Sequence, residues 1–163
     1  MKVELVSYDE AWPKEFEREQ AYLLSLVRPW LHGTIEHVGS TSVPGMSAKP
    51  IIDIMVGVRS LNESIDAIAT LRTHGYCYYP YKPEHMHWFC KPSPEFRTHH
   101  IHLIPFKSPL WYERVEFRNI LRTNDTIAKQ YAQLKHSLAL ENCQDREAYT
   151  RKKWPFIQKV LGY

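Results

Sequence analysis

The sequence predicts a mixed α/β (α+β) fold: a small mixed sheet with helices mainly on one face, followed by a helical C-terminal segment. Residues 50–58 form a near-continuous apolar, β-branched run, which is typical of a central strand covered on both faces. From residue 109 onward, apolar residues instead recur at helical spacing. No linker, charge block or internal repeat divides the chain, so we expect one domain over residues 1–163, with a core of about 1–107 and C-terminal helices of about 108–163.

The first two-thirds of the chain predicts alternating strands and helices. We expect an edge strand at residues 3–6, then a helix that is capped by Asp9, opens at Trp12-Pro13 and ends before Pro29. A second helix is expected to start at Ser60 or Asn62, to run to about His74 and to end at Gly75. Further strands are expected at residues 34–38, 50–58, 76–79, 86–91 and 99–105.

The C-terminal third predicts three helices, at residues 111–122, 126–141 and 146–161, with Asp125 and Asp145 as N-caps of the second and third. Their basic residues are interleaved with other residue types, which favours a solvated face over a binding stripe. The residues assigned to this face are Arg114, Arg118, Arg122, Arg146, Arg151, Lys152 and Lys153.

Composition bears on the partner and on the compartment. The formal charge of +3 over 163 residues is too small to indicate nucleic acid as a partner. No apolar run approaches the roughly 18 residues of a membrane helix, and no signal-peptide core is present, so we expect a cytoplasmic protein without a membrane partner. The three cysteines form neither a disulfide framework nor a C-x-x-C motif.

One carboxylate lies in the strand at residues 50–58. Strand alternation places Asp53, Met55 and Gly57 on one face, opposite an aliphatic face. A carboxylate is costly to bury unless a metal, a cation or a substrate answers it, although pairing with an arginine, a lysine or backbone amides is the structural alternative.

The turn ahead of this strand is rich in glycine and hydroxyl side chains. Its backbone amides and hydroxyls suit phosphate binding. The residues proposed for this role are Gly39, Ser40, Thr41 and Ser42. Lys49 directly precedes the Asp53 strand and Arg97 directly precedes the histidine-rich strand, so both suit the mouth of an anion site; the alternative is that they are solvated loop charges.

Two histidines share one face of the strand at residues 99–105. His100 and His102 alternate with aliphatic residues, so we expect both to face the same cleft as Asp53. The three side chains would offer two nitrogens and one oxygen to Zn, Mn, Fe or Ni. In the alternative interpretation, the imidazoles bond to backbone or carboxylate groups, or donate to a substrate phosphate.

Several ordered blocks of sequence resemble one family over essentially the whole chain. The blocks include residues 6–16, 35–45, 48–54, 97–103, 117–122, 131–135 and 145–149. On these residues the chain resembles the GrpB family, which shares the nucleotidyltransferase fold; a related domain is fused to some dephospho-CoA kinases. The resemblance therefore implies a nucleotidyltransferase-like fold.

The resemblance also implies a chemistry. Members of this superfamily carry a glycine-rich turn followed by an acid-hydrophobic-acid strand whose two acids bind Mg²⁺ ions. Gly39 and Ser40 match the turn and Asp53 matches the first acid, but Met55 occupies the place of the second, and a thioether is not a Mg²⁺ ligand. His100 or His102 falls in the region of a third acid.

Three hypotheses follow. The first is a nucleotidyltransferase-like enzyme that binds a nucleotide or phosphorylated metabolite with Mg²⁺ or Mn²⁺, with Asp53 and His102 as catalytic groups. The second is a non-catalytic binder of the same small-molecule ligands. The third is a Zn- or Mn-dependent hydrolase that uses Asp53, His100 and His102 as metal ligands.

Overall fold

A computed structural model describes residues 2–163, which contain five α-helices and a five-stranded mixed sheet. The helices are α1 (Trp12–Val27), α2 (Asp66–Thr73), α3 (Pro109–Thr123), α4 (Asp125–Glu141) and α5 (Arg146–Leu161). The strands are β1 (Leu31–Val38), β2 (Ile52–Val58), β3 (Cys77–Tyr79), β4 (His87–Pro92) and β5 (Arg97–Pro105). This architecture confirms the predicted fold class. None of these helices is both long enough and apolar enough to cross a membrane.

The order of the strands brings distant residues together. The order is β1-β2-β5-β4-β3, and β2 and β5 are parallel while the other neighbours are antiparallel. The parallel register aligns Asp53 with His100 and Met55 with His102. Aligned residues of neighbouring strands point to the same face, so the acid and both histidines share one side of the sheet, as predicted.

The two faces of the sheet have different partners. The aliphatic face of β2 packs with α1 and α2 in the largest core cluster, which includes Leu23 and Leu71. On the opposite face, Met55 and Ile104 pack beneath Trp111 of α3. Helices α4 and α5 join α3 beyond the edge of this layer, where Tyr131 of α4 packs with Val43 and Met46, residues of the loop between β1 and β2. The C-terminal helices therefore close over the side of the sheet that carries Asp53.

Two N-terminal predictions are wrong in detail. Residues 3–6 do not form a strand: Val6 makes only an isolated bridge with Ala48. Asp9 does not cap α1, because the helix begins after Ala11 without a side-chain cap; the Asp9 carboxylate instead accepts a hydrogen bond from the Ala11 amide at 2.8 Å in the preceding turn.

Other element boundaries also differ from the prediction. β1 begins three residues early, because Gly33, at φ +86°, allows an irregularity in the pairing with β2. α2 begins only at Asp66, because the Ser64 hydroxyl bonds back to the Ser60 carbonyl at 2.7 Å and holds a turn ahead of the helix.

The predicted caps of the remaining helices are partly confirmed. Asn124, not Asp125, caps α4 by accepting from the Ile127 amide at 3.1 Å. Asp145 caps α5 as predicted, and Gly75, at φ +92°, follows α2.

A buried histidine joins β1 to the turn before β2. The His37 ring stacks on Phe16 at 4.9 Å between centroids, and its Nε2 lies 2.9 Å from the Thr41 hydroxyl. That hydroxyl donates to the Ile51 carbonyl, so Nε2 donates to it. Burial lowers the pKa of His37 to about 4; the charge of Asp53 opposes this shift, and Arg122 and Arg118 reinforce it. His37 is therefore neutral in the folded protein at neutral pH.

We predict that protonation of His37 destabilises the fold in mild acid. The pKa is lower in the folded than in the unfolded chain, so the stabilisation is complete above about pH 6.5 and is lost as the pH falls towards 4. We expect urea unfolding to show that, between pH 8 and pH 5, the free energy of unfolding falls by about 2 kcal/mol less in His37→Gln than in wild type. Parallel stability profiles of the two proteins would contradict this prediction.

Candidate functional site

A small cavity of about 110 Å³ lies between the sheet and the C-terminal helices. Lys49, Asp53 and His100 line it from the sheet side. Helix α4 contributes Tyr131 and Lys135, and helix α5 contributes Tyr149 and Lys153. The cavity therefore combines Asp53 with side chains from more than 75 positions later in the chain.

Asp53 is the acidic residue of this lining. Its carboxylate Oδ1 lies 3.2 Å from His100 Nδ1 and 3.7 Å from His102 Nε2, and its side chain is 29% exposed. Burial acts to raise the pKa of Asp53, but the interactions with His100 and then His102 outweigh it and hold the pKa well below its usual value. Asp53 is therefore an ionised acceptor.

Residue 39 must be a glycine because its backbone lies close to the Asp53 carboxylate. Gly39 has φ +74°, and a Cβ atom at this position would lie 2.6 Å from Asp53 Oδ2. Any side chain would therefore collide with the acid in a backbone conformation that L residues rarely adopt. The turn and the acid are built as one unit.

The three hydroxyls of the turn have different surroundings. Thr41 is bonded to His37 and to the Ile51 carbonyl, and Ser42 donates to the Gly39 carbonyl at 2.5 Å. Both hydroxyls thus already have hydrogen-bond partners in the protein. Ser40 is half-buried and lines the cavity. Of the hydroxyls predicted to bind phosphate, Ser40 is the one best placed to do so.

Three lysines converge on the cavity. Burial, followed by the charge of Lys153, lowers the pKa of Lys49 to about 7 and that of Lys135 to about 7. Burial lowers the pKa of Lys153 to about 8, against the opposing charge of Asp53. Lys135 is almost fully buried and donates from Nζ to the Ser47 carbonyl at 2.6 Å. One carboxylate therefore faces three amines whose protonation is costly.

The assignment of Lys153 to a solvated face is wrong, and sequence reasoning did not select Lys135. Each lysine stands four residues after a tyrosine, and its Nζ lies over that ring: Lys135 at 5.2 Å from the Tyr131 centroid, and Lys153 at 4.6 Å from that of Tyr149. Residues i and i+4 share a helix face. The repeated Tyr-x-x-x-Lys spacing on α4 and α5 is the signal that could have found this pair.

Three arginines of α3 were also expected on a solvated face; that expectation is wrong for Arg118 and Arg114, because α3 packs against the sheet. Arg118 is buried and donates to the Glu36 carboxylate at 3.2 Å and to the His37 carbonyl at 3.0 Å. Arg114 Nη1 lies 2.7 Å from His102 Nδ1. Arg122 is exposed, but its Nε donates to the Ser42 carbonyl at 2.8 Å.

Arg97 does not line the cavity. Its guanidinium lies over the Trp88 ring at 5.3 Å, and its Nε donates to the Pro94 carbonyl at 2.9 Å. Of the two cations predicted at the mouth of an anion site, Lys49 lines this cavity and Arg97 lies in a neighbouring one.

The predicted metal ligands meet, but their hydrogen bonds do not suit a three-ligand site. Asp53, His100 and His102 offer ligand atoms that all lie within 4.8 Å of one another. A guanidinium can only donate, so His102 Nδ1 must accept from Arg114. In a neutral imidazole the proton then sits on Nε2, the nitrogen that faces Asp53. A ligating histidine normally donates from its other nitrogen, and Arg114 prevents that here.

Comparison with known proteins places this fold in a class. The structure resembles a chain of the GLD-2/RNP-8 complex with a TM-score of 0.60 and 12% identity, over 96% of this chain and 60% of that one. At this identity the likeness concerns the fold alone, which is nucleotidyltransferase-like, as predicted.

The sequence identifies the family within that class. Residues 2–162 match the GrpB protein family, so the chain belongs to the GrpB family. It is 39% identical to the UPF0157 protein PA4798 of Pseudomonas aeruginosa, over 99% of this chain and 67% of that protein. It is 31% identical to the glutamate-rich protein GrpB of Alkalihalophilus pseudofirmus, over 99% and 95%. The crystal structure of GrpB from Enterococcus faecalis superposes with a TM-score of 0.81 and 30% identity, over 97% and 99%.

We predict that Arg114 keeps His102 from binding a metal. The Arg114→Met variant removes the donor, so the Nε2 lone pair becomes available and Zn²⁺ affinity should rise at least roughly 10-fold, as expected for a restored ligand. Calorimetry with Zn²⁺ measures this directly. Arg114→Lys is the matched control, since an ammonium also only donates, and it should bind as weakly as wild type. Equal Zn²⁺ affinity in all three proteins would contradict the prediction.

Proposed function

We propose that the protein binds the phosphate groups of a nucleotide or a phosphorylated metabolite in the cavity formed with Asp53. The observation that carries this proposal is the convergence of Lys49, Lys135 and Lys153 on one small space with a single carboxylate. Protonated, these groups leave a surplus of two positive charges, and phosphate oxygens are strong acceptors for such a cluster.

The energetics of the lysines support an anionic ligand. Desolvation disfavours the charged form of an amine, and neighbouring cations disfavour it further. Lys49 and Lys135 show both effects, which lower their pKa values to about 7. A bound phosphate supplies the missing counter-charge, so binding restores protons to lysines that are only partly charged in the empty cavity.

The size of the cavity and its polar groups support a phosphoryl group as the part that enters. A volume of about 110 Å³ is several times what one water molecule needs, but it is small for a whole nucleotide. Ser40 adds a hydroxyl to the lining, and Gly39 allows the backbone of the turn to lie close to the Asp53 side chain. The remainder of the ligand would extend beyond this space.

Nucleotidyl transfer is a second candidate, favoured by the position of Asp53 in a nucleotidyltransferase-like fold. Met55 is fully buried with Trp111 and Ile104, so the place of a second acid belongs to the core and not to the cavity. Mg²⁺ or Mn²⁺ brought in on nucleotide phosphates would have Asp53 as its carboxylate ligand, and one such ligand does not make a two-metal centre. The hydrolase hypothesis is weaker still, because it needs His102 as a ligand.

We predict that the lysines carry ATP binding. Calorimetry without metal should show that Lys135→Met and Lys153→Met each weaken ATP binding roughly 10-fold or more, because each removes a charge-assisted contact. Lys129→Met is the matched control: Lys129 is an exposed lysine of α4, and its loss should leave the affinity unchanged. An equal affinity in all four proteins would exclude the proposed cavity.

The same titration of Asp53→Asn separates the two candidate functions. A simple anion site should bind metal-free ATP at least as tightly after this change, because a repulsive charge is removed. Mg²⁺-dependent ATP binding and pyrophosphate release that both disappear in Asp53→Asn would favour transfer over binding alone.

We further predict a pH dependence of anion binding. In the free protein the pKa values of the three lysines are about 7 to 8, and a bound anion raises them. The complex therefore holds more protons than the free protein, and the affinity for the anion falls as the pH rises from 7 to 9. Sulfate is the suitable probe, since its own charge is constant in this range. Calorimetry in two buffers of different ionisation enthalpy should detect proton uptake at pH 8; affinity independent of pH would contradict this mechanism.

A further inference from the structure

A second basic cluster lies beside the lysine cavity. Arg97, the first residue of β5, and Arg146, the first residue of α5, line a neighbouring cavity of about 550 Å³. This cavity lies between the β4–β5 connection and the start of α5. Neither the proposed phosphate cavity nor the packing of the helices accounts for these two arginines.

The guanidinium of Arg146 lacks partners within residues 2–163. Its Nε and Nη1 atoms are both buried and make no hydrogen bond. A buried donor without an acceptor is costly, and more so when the group is charged. Such an orphaned group in a folded protein indicates an acceptor that comes from outside the chain.

The acidic residues near Arg146 form no ion pair with its guanidinium. Glu95, Asp145 and Glu147 are exposed residues of the same lining, and in the described part of the chain none lies within 4.0 Å of an arginine nitrogen. The Asp145 carboxylate is already used, because it accepts from the Ala148 amide at 3.0 Å to cap α5. The orphaned donors of Arg146 are therefore directed at no carboxylate of residues 2–163.

The guanidinium of Arg97, which lines the same cavity as Arg146, is fixed by its neighbours. Its plane is supported by the Trp88 ring and its Nε by the Pro94 carbonyl, while its two terminal nitrogens bond to no other group of residues 2–163. An arginine supported on an aromatic ring keeps its remaining N–H groups in a defined fork, which matches the oxygens of a phosphate.

The two cavities belong to one positively charged region. After burial and Lys153, the charges of Arg146 and then Arg97 contribute to the low pKa of Lys49. His100 lines the lysine cavity, and its ring lies 5.1 Å from the Trp88 ring that supports Arg97. Its Nε2 is also buried without a partner in the described residues.

We propose that Arg97 and Arg146 form a second anion subsite, so that the ligand of this protein carries a polyphosphate chain or two separate phosphate groups. This inference rests on the proposed function, because one phosphate occupies the lysine cavity and the next reaches the arginines. The ligand class is thereby narrowed from phosphorylated metabolites in general to polyphosphates, nucleoside triphosphates among them, and bisphosphorylated metabolites.

The test compares inorganic phosphate with tripolyphosphate by calorimetry. Wild type should bind tripolyphosphate at least roughly 10-fold more tightly than phosphate, since further charge-assisted contacts become available. Arg146→Gln and Arg97→Gln should each lower the affinity for tripolyphosphate roughly 10-fold or more. Each should change the affinity for phosphate less than about 3-fold. Arg151→Gln, which removes an exposed arginine of α5, is the matched control and should bind both anions as wild type does.

The outcomes separate this inference from the function on which it rests. If Lys135→Met weakens tripolyphosphate binding and neither arginine variant does, the second subsite is wrong and the lysine cavity stands. Equal losses for phosphate and tripolyphosphate in the arginine variants would also overturn it. If wild type binds neither anion, the proposed function itself fails. Arg97→Gln, which changes a half-buried residue, keeps the test decisive if Arg146→Gln does not fold.

Discussion

Charge imbalance in a confined space is the constraint on which the rest of this structure depends. Asp53 alone faces Lys49, Lys135 and Lys153, and each amine has lost much of its hydration. Tyrosine rings and a backbone carbonyl stabilise the lysines only in part. An empty cavity of this kind lowers the pKa values of its own lysines, whereas an anion would let all three keep their protons. The arrangement is costly for a purely structural element and well suited to a binding site.

The fold explains how such a cluster arises. The parallel pairing of β2 with β5 sets His100 beside Asp53, and α1 and α2 seal the opposite face of the sheet. The C-terminal helices lie on the other side of the sheet, which is the side of the acid. There α3 covers Met55, and α4 and α5 pack against the loop that follows Gly39. The cavity lies where the sheet and these last two helices meet, so its cations and its carboxylate come from different parts of the chain.

The same packing limits the chemistry. Met55 occupies a core position under α3, and Arg114 of that helix donates to His102. Both features remove groups that metal-dependent transfer or hydrolysis would need. Asp53, Ser40 and the lysines remain on the cavity. These groups suit the proposed phosphate site, whereas two-metal catalysis would need more than the one carboxylate that lines this cavity.

The sequence by itself determined the mixed α/β fold, the family and the shared face of Asp53, His100 and His102. These features depend on local periodicity and on contiguous motifs, which are written in neighbouring residues. It misjudged the start of α2 and the edge strand at residues 3–6, where individual hydrogen bonds decided the boundary. Only the tertiary structure decided that Lys135 and Lys153 line the same cavity as Asp53 and that Arg114 contacts His102. The reason is physical: a lysine on an amphipathic helix has the same local pattern whether its face meets water or a carboxylate, and only the packing of that helix distinguishes the two.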